Sequence, residues 1–244
     1  MQNYRKEYLG SDVSVIISDE HGFGTDAVLL ADFASPKRKD KACDLGSGCG
    51  IIPMIWLKNN CASEITAVEI QKQGYEQTLE AIRINRAENK IEAYNCDLRE
   101  IKNFLPNAEF DVVSMNPPYK AADSGIQSQT EADLIARHEV KCTLSDICSA
   151  ASYLLKYGGR LCMCNRPERL CDTITAMKQS GIEPKRLRFV VKRPDTRPWL
   201  FLIEGKKGSK PFLNIDPMLI MYNDNGKISD EVLKIYGEYK ENCK

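Results

Sequence analysis

The stretch Asp44-Leu45-Gly46-Ser47-Gly48-Cys49-Gly50 decides the fold that we predict for this chain. It completes the strand-like run Lys41 to Leu45 and precedes the helix-like segment Ile51 to Lys58. Glycines at this point let the backbone turn sharply and approach a ligand at a distance that any Cβ would forbid. The spacing is G-x-G-x-G, and Ile51 stands where the dinucleotide-binding form G-x-G-x-x-G has its last glycine.

Strands and helices alternate on the C-terminal side of this stretch. The pattern predicts a long helix over Gln71 to Glu88, a helix over Ser145 to Lys156 that stops at Gly158-Gly159, and strands at Glu64 to Glu69, Ile91 to Asn95, Phe110 to Met115 and Arg160 to Asn165. This alternation implies parallel pairing through right-handed crossovers. We therefore predict an α/β fold with a doubly wound, Rossmann-like sheet.

The last two strands depart from this alternation. Arg186 to Lys192 and Trp199 to Glu204 are separated by Arg193 to Pro198, which is too short for a helix. The connection suits a hairpin, so this pair should be antiparallel. The prediction is a seven-stranded sheet, mostly parallel, whose last strand is antiparallel.

Shorter segments flank the predicted sheet. Val13 to Ser18 resembles one arm of a hairpin, and Thr25 and Asp26 stand at the cap position of an apolar helix that Pro36 closes. We expect three parts: an N-terminal extension over residues 1–40, the main domain over 41–210, and a C-terminal tail over 211–244.

The composition is that of an ordinary globular chain of 244 residues, 43% hydrophobic and 28% charged. No apolar run approaches the roughly 18 residues of a spanning helix, so we expect a cytoplasmic protein without membrane contact. Ten cysteines are scattered along the chain and only two histidines are present, His21 and His138. We interpret most cysteines, including Cys162 and Cys164 on one strand face, as buried packing residues, and we expect no metal site. Both histidines are interpreted as solvated or structural.

Polar side chains follow four of the predicted strands. Asp44, Glu69 and Asn116 stand at or just after strand ends, and Asp97 follows the strand that ends at Asn95. Ligands of open α/β sheets bind at this carboxyl edge. Glu69 lies where an acid can accept both ribose hydroxyls of a nucleoside, so the combination predicts a nucleoside-bearing cofactor.

The tetrad Asn116-Pro117-Pro118-Tyr119 is the most specific signal in the chain. Consecutive prolines stiffen the backbone and donate no hydrogen bonds, which leaves their carbonyls free to accept. The Asn116 side-chain oxygen and the Pro117 carbonyl can then both accept from one NH2 group, and Tyr119 can stack on a planar substrate.

The glycine turn, the strand-end acids and the antiparallel final pair resemble the class I S-adenosylmethionine (SAM) dependent methyltransferases. The resemblance implies that Gly46, Gly48 and Gly50 hold SAM, with Asp44 and Asn116 beside it. It also implies that Glu69 binds the ribose and that Asp97 binds the adenine amino group. The tetrad matches the N/D-P-P-Y/F/W motif of the families that methylate adenine N6, guanine N2 or a glutamine amide.

Three further segments resemble the bacterial valine tRNA adenine-37 N6-methyltransferase family. They are His21 to Leu30, Ala136-Arg137-His138-Glu139, and Lys192-Arg193-Pro194 with Trp199. In that family the first segment closes over SAM, so the resemblance implies cofactor contacts by Thr25 and Asp26. It also implies a tRNA substrate, and no obligate protein partner is evident.

The segment from Glu183 to Lys210 has nine basic and three acidic residues. With an RNA substrate, this charge suits the phosphate backbone, so we expect RNA contacts along the hairpin from Arg186 to Lys207. The candidate substrate residues are Arg137, Lys192, Arg193, Arg197 and Trp199.

Other functions stay open at this point. The acceptor could be guanine N2 of ribosomal RNA, adenine in DNA, or a protein glutamine. The release-factor methyltransferases carry a helical domain before the sheet, whereas 40 residues precede Lys41 here, which disfavours the protein acceptor. A non-catalytic module that binds SAM or RNA is the alternative from a different class.

Overall fold

A computed structural model describes residues 4–18, 22–117 and 142–241. The first half contains β1 (Arg5–Gly10), β2 (Val13–Ile17), α1 (Thr25–Ala34), β3 (Lys41–Leu45), α2 (Ile51–Lys58), β4 (Glu64–Glu69), α3 (Lys72–Ile84), β5 (Ile91–Asn95), a 3-10 helix (Leu98–Asn103) and β6 (Phe110–Met115). The second half contains α4 (Leu144–Leu154), β7 (Leu155–Asn165), a 3-10 helix (Pro167–Arg169), α5 (Leu170–Gln179), β8 (Ile182–Val191), β9 (Leu200–Lys207), β10 (Asn214–Ile215), β11 (Leu219–Ile220), α6 (Asp230–Tyr236) and α7 (Glu238–Glu241).

The main sheet has the strand order β10-β8-β9-β7-β6-β3-β4-β5, with β11 also paired to β8. Strands β3 to β7 pair in parallel. Strand β9 is antiparallel to both β7 and β8. The predicted Rossmann-like sheet with an antiparallel last strand is therefore confirmed. The two-residue strands β10 and β11 extend it beyond the seven strands that we predicted.

Two hydrophobic cores cover the two faces of this sheet. One contains Leu29 of α1, Trp56 of α2 and Ile82 of α3, and the other contains Ile147 of α4 and Met177 of α5. Along β7 the side chains alternate between the cores, because successive residues of a strand point to opposite faces. Helices on both faces make the sheet doubly wound.

The cysteines of β7 follow this alternation. Cys162 and Cys164 both pack in the first core, fully buried, as their spacing predicts. All nine cysteines within the described ranges are free thiols. In the same ranges no group of three or more histidine, cysteine, aspartate or glutamate residues could hold a metal ion.

The start of β7 differs from our prediction. The glycine pair Gly158-Gly159, predicted to end a helix, lies inside this strand, which begins at Leu155 directly after α4. The register against β6 shifts between Phe110 and Val112. Gly158 has φ +80°, a conformation that favours glycine, so the pair accommodates a bulge in a strand.

The N-terminal extension packs on the main sheet through α3. Strands β1 and β2 form an antiparallel hairpin, as predicted. The Asn85 amide bonds both backbone groups of Ser14, with Nδ2 donating to its carbonyl at 2.7 Å and Oδ1 accepting from its N–H at 2.9 Å. Gln77 Nε2 donates to the Ile16 carbonyl at 3.2 Å. These bonds fix the hairpin to the helix that follows β4.

The C-terminal helices pack on the same extension. Tyr236 of α6 donates from its hydroxyl to Thr25 Oγ1 at 2.9 Å. Tyr239 of α7 donates to the Glu7 carboxylate and contacts the ring of Phe23. The tail therefore holds the N-terminus of α1. None of the helices in the described part of the chain is long and apolar enough to cross a membrane.

Candidate active site

A cavity of about 260 Å³ lies at the carboxyl edge of the sheet. The ends of β6, β3, β4 and β5 meet there because these strands are neighbours and parallel. Four of the predicted cofactor residues and Asn116 of the tetrad border the cavity: Gly46, Gly48, Glu69, Asp97 and Asn116. The other four predicted cofactor residues are described by the structure but do not line this cavity: Thr25, Asp26, Asp44 and Gly50.

The glycine turn shapes one side of this cavity. Gly46, Gly48 and Gly50 have φ values of +64°, +55° and +79°, all in the region that favours glycine. A Cβ on Gly50 would stand 2.8 Å from Thr78 Oγ1, whereas a Cβ on Gly48 would meet no protein atom within 4 Å. Gly50 is thus required by helix packing, and Gly48 leaves open the space that a ligand can occupy.

The carboxylate of Glu69 is buried and held by two backbone N–H groups. Oε2 accepts from Gly48 N and Oε1 from Gln71 N, both at 2.7 Å. An ionised carboxylate has about four acceptor positions. Each oxygen therefore retains capacity for another donor, which fits a pair of ribose hydroxyls.

Asp97 lies at the far side of the cavity, at the start of the first 3-10 helix. Its Oδ1 accepts from Arg99 N at 2.9 Å, and its carboxylate pairs with the Arg99 guanidinium. The hydrogen bond from the Arg99 side chain holds the pKa of Asp97 below its usual value. An ionised Asp97 is an acceptor for an amino group, and Arg99 lines the cavity beside it.

Asp44 lies beneath the glycine turn, almost completely buried. Burial raises the pKa of its carboxyl to about 8, although a hydrogen bond from Ser114 Oγ at 2.5 Å partly opposes this rise, and the charge of Glu69 adds to it. The folded protein therefore keeps Asp44 protonated near neutral pH, where the unfolded chain has it ionised.

We expect the Asp44→Asn variant to lose one pH-dependent contribution to stability. Since the folded pKa of about 8 exceeds the ordinary 3.8, the unfolded state binds fewer protons between these values, and the free energy of unfolding falls as the pH rises through this window. Asparagine cannot ionise, so the stability of the variant relative to the wild type should increase from pH 5 to pH 8. Urea titrations of the SAM-free protein at both pH values measure this, and a constant difference would contradict it.

The side-chain amide of Asn116 is held at both ends. Its Nδ2 donates to Asp26 Oδ2 at 3.2 Å, and its Oδ1 accepts from the Cys164 thiol at 3.0 Å. Pro117 follows it and is buried. Pro118, Tyr119 and Arg137, like both histidines, lie outside the described residues.

Thr25 differs from the cap position that the sequence indicated. The residue that caps α1 is Gly24, and no side chain bonds the free N–H groups there. Thr25 is the first residue of the helix and accepts instead from Tyr236. Asp26, one residue later, reaches Asn116.

The basic segment is divided between the two edges of the sheet. Phe201 pairs with Asn165 at the end of β7, which places the β8–β9 turn at the same edge as the cavity. Lys192, Arg193 and Arg197 are exposed in this turn, and Trp199, partly buried, completes it.

Most of the remaining basic residues of the hairpin have structural partners. Arg186 stacks on Phe33 at 4.0 Å, and Arg188 forms an ion pair with Glu231 at 2.7 Å. Lys207 donates to the carbonyls at the end of α4. The expectation of RNA contacts along the whole hairpin is therefore too broad, because these side chains hold the fold together.

Sequence reasoning missed four side chains at this edge: Arg99, Ser114, Cys164 and Arg166. Arg166 directly follows β7, is exposed, and places its guanidinium 5.6 Å from the ring centre of Trp199. Its position directly after a strand end was a usable signal, as it was for Asp97, which lies two residues after the end of β5. No local sequence pattern indicates that Cys164 bonds Asn116 or that Ser114 bonds Asp44.

Comparisons with known proteins agree with this geometry. The model of the family described as methyltransferase small domain matches residues 11–180. A tRNA1(Val) (adenine(37)-N6)-methyltransferase of Parabacteroides distasonis is 30% identical over 183 residues, 74% of this chain and 75% of that protein. Another of Bacteroides fragilis is 27% identical over 225 residues, 88% and 89% of the two chains. The structure of Atu636 from Agrobacterium tumefaciens, described as a predicted O-methyltransferase, superposes with a TM-score of 0.71 at 24% identity over 87% of this chain and 95% of that one.

The sheet order, the glycine turn and the acids at the carboxyl edge define a class I methyltransferase of Rossmann-like fold. Its methyl donor is SAM, and the open space at Gly48 together with the acceptors of Glu69 and Asp97 fits this cofactor. The chain belongs to the methyltransferase small domain family.

Proposed function

We propose that this enzyme methylates N6 of an adenine in tRNA, at position 37 of a valine tRNA, in the cytoplasm. The observation that carries the proposal is the Asn116 amide, which borders the cavity and is held by Asp26 at its Nδ2 and by Cys164 at its Oδ1. The relatives from P. distasonis and B. fragilis, which are named as adenine-37 N6-methyltransferases of a valine tRNA, support the choice of acceptor.

In the proposed site, the cofactor residues hold SAM along the carboxyl edge. Glu69 binds the ribose, Asp97 the adenine amino group, and the turn of Gly46, Gly48 and Gly50 lies against the rest of the ligand. Asp26 acts on the site through its bond to Asn116, Thr25 precedes it in α1, and Asp44 supports the turn from β3. Bound SAM supplies a methyl group on a positive sulfonium, which is a good leaving group.

The tetrad orients the acceptor in this proposal. Asn116 Oδ1 and the Pro117 carbonyl accept the two hydrogens of the adenine amino group, which turns the nitrogen lone pair towards the methyl. Pro118 stiffens the turn, and Tyr119 stacks on the base. No strong base is needed because alignment of the reacting atoms supplies much of the rate.

The exposed residues of the β8–β9 turn contact the RNA in this proposal. Lys192, Arg193 and Arg197 face phosphates, Trp199 offers an aromatic surface with Arg166 beside it, and Arg137 adds a further cation. The turn lies at the edge that holds the cavity, so an RNA that enters the site passes it.

We expect the triple variant Lys192→Ala, Arg193→Ala, Arg197→Ala to bind tRNA more weakly without a change in SAM affinity. Loss of each phosphate contact should reduce the slope of log K against log salt by about 0.7 to 0.9. The matched control is Lys185→Ala, Lys206→Ala, Lys210→Ala, which removes equal charge from the opposite edge. Equal weakening in both triple variants, measured by filter binding between 50 and 200 mM salt, would contradict a specific role for the turn.

Nucleoside mass spectrometry tests the proposed function directly. Purified protein is incubated with methyl-labelled SAM and bulk tRNA from cells that lack its gene. Labelled N6-methyladenosine in a valine tRNA is the expected result. Label in ribosomal RNA, DNA or protein, with none in tRNA, would overturn the proposed acceptor.

A further inference from the structure

Arg99 binds both oxygens of the Asp97 carboxylate at one end of the cavity. Oδ1 accepts from the backbone N–H of Arg99 at 2.9 Å and from its Nε at 3.0 Å, and the same Nε is 2.9 Å from Oδ2. Nη2 also donates to Oδ2. Both residues line the cavity. Three N–H groups of a single residue therefore hold this carboxylate.

These contacts fix the plane of the Asp97 carboxylate. The terminal torsion of an aspartate side chain is otherwise broad and roughly two-fold, so an unbonded carboxylate can turn. The N–H that contacts Oδ1 belongs to the 3-10 helix Leu98–Asn103, and Asp97 is the N-cap of that helix. The helix and the guanidinium together determine where each carboxylate oxygen lies.

The same contacts disfavour a proton on the carboxylate. A protonated carboxyl has an O–H donor, whereas an arginine side chain offers only donors and stays charged. Three donors occupy three of the roughly four acceptor positions of an ionised carboxylate. Asp97 therefore presents to the cavity an acceptor and no donor.

The charges around this end of the cavity make Arg99 important for that state. Four other titratable groups lie nearby: Cys96, Cys142, Asp146 and Glu69. Burial raises the pKa of the two thiols to about 11 and about 12, so both are neutral between pH 5 and pH 8. The two carboxylates add negative charge. Arg99 supplies a positive charge against them, and its side-chain hydrogen bond lowers the pKa of Asp97.

We propose that Arg99 is a positioning residue that makes the cavity selective for a 6-aminopurine cofactor by holding Asp97 as a fixed acceptor. This inference rests on the proposed function, in which Asp97 receives the adenine amino group. A purine with a 6-oxo group would place its oxygen against the carboxylate, so two acceptors would oppose each other. Without Arg99, the Asp97 carboxyl can turn towards the N1–H of such a purine, or bind a proton and donate it to the 6-oxo oxygen.

Two ligands that differ at one ring position measure this selectivity. S-adenosylhomocysteine carries the 6-amino group, and S-inosylhomocysteine carries a 6-oxo group in its place. Isothermal titration calorimetry gives the Kd of each, and the wild-type protein should bind the adenosine compound about ten- to a hundredfold more tightly. The ratio of the two Kd values should be the same at pH 7.5 and pH 5.5, because Asp97 with its lowered pKa is ionised at both.

Arg99→Ala should reduce this ratio by about three- to tenfold, and by more at pH 5.5 than at pH 7.5. The hydrogen bond that lowers the pKa of Asp97 is then lost, while a bound ligand that covers the carboxylate raises the pKa, so protonation increases as the pH falls. The matched control is Lys102→Ala, in the same 3-10 helix. The Lys102 ammonium lies 5.6 Å from the ring centre of Tyr153 and belongs to a residue that does not line the cavity. A wild-type ratio in Arg99→Ala at both pH values, or an equal reduction in Lys102→Ala, would overturn the proposal.

Asp97→Ala separates this inference from the proposed placement of the cofactor. The variant should lose most of the preference between the two ligands. An unchanged ratio would show that the adenine amino group lies elsewhere, which would overturn the proposed placement and the inference together. A reduced ratio in Asp97→Ala with a wild-type ratio in Arg99→Ala would overturn the inference alone. Neither measurement depends on which acceptor the enzyme methylates.

Discussion

Replacing Asn116 with alanine is expected to lower kcat by about a hundred- to a thousandfold, the usual cost of removing one preorganised hydrogen-bonding group from an active site. The variant loses the oxygen that accepts from the substrate amine, so the nitrogen lone pair is no longer aligned with the methyl. Affinity for SAM should change far less, because Glu69 and the glycine turn remain. Single-turnover kinetics with saturating SAM separate the two effects.

Asn165 provides the control for this substitution. Asn165 is the last residue of β7, and Asn116 is the first residue after the neighbouring strand β6. Asn165 is buried, and its Oδ1 accepts from Arg166 N at 2.8 Å. Asn165→Ala thus removes an equal side chain from the neighbouring strand end, and we expect a much smaller loss of kcat. Full activity of Asn116→Ala on a verified substrate would show that the orienting role is wrong.

The strand pattern of the sequence predicted the main features of the fold. Alternating strands and helices from Lys41 to Gln179 imply parallel pairing, and the short connection before Trp199 implies the antiparallel strand. Both are local properties of the sequence. The predicted start of β7 was wrong because a glycine pair such as Gly158-Gly159 can either end a helix or form a bulge in a strand. Pairing with β6 decides between these two structures.

The strand-end rule also predicted which side chains would share an edge. Glu69, Asp97 and Asn116 border one cavity because parallel strands end on the same side. Their hydrogen-bond partners could not be predicted in this way. Asp26 and Cys164 are 90 and 48 residues from Asn116, and they meet it only because β7 lies beside β6 and α1 packs at the same edge.

The charge count gave the least reliable spatial prediction. It treated Glu183 to Lys210 as one surface, yet a hairpin places its turn and its ends at opposite edges of the sheet. Arg186 and Lys207 are therefore structural, while Arg193 is in the exposed turn. Where strand pairing is known, a basic segment should be divided by edge before it is assigned to RNA.

Glu69→Gln is expected to weaken SAM binding by about ten- to a hundredfold, although glutamine has nearly the shape of glutamate. The two carboxylate oxygens accept from the N–H groups of Gly48 and Gln71. An amide has only one oxygen, so its NH2 group must face one of these N–H donors. The glycine turn would then shift away from the geometry that borders the cavity.

Glu64 provides the control at the other end of the same strand. It forms an exposed ion pair with Lys41 at 2.9 Å, at the edge away from the cavity, so Glu64→Gln should leave the Kd for SAM unchanged. Isothermal titration calorimetry measures both variants, and kcat at saturating SAM should fall little in Glu69→Gln because the tetrad is intact. Unaltered SAM affinity in Glu69→Gln would mean that the ribose does not lie on this carboxylate, and the cofactor would then have to be placed elsewhere along the cavity.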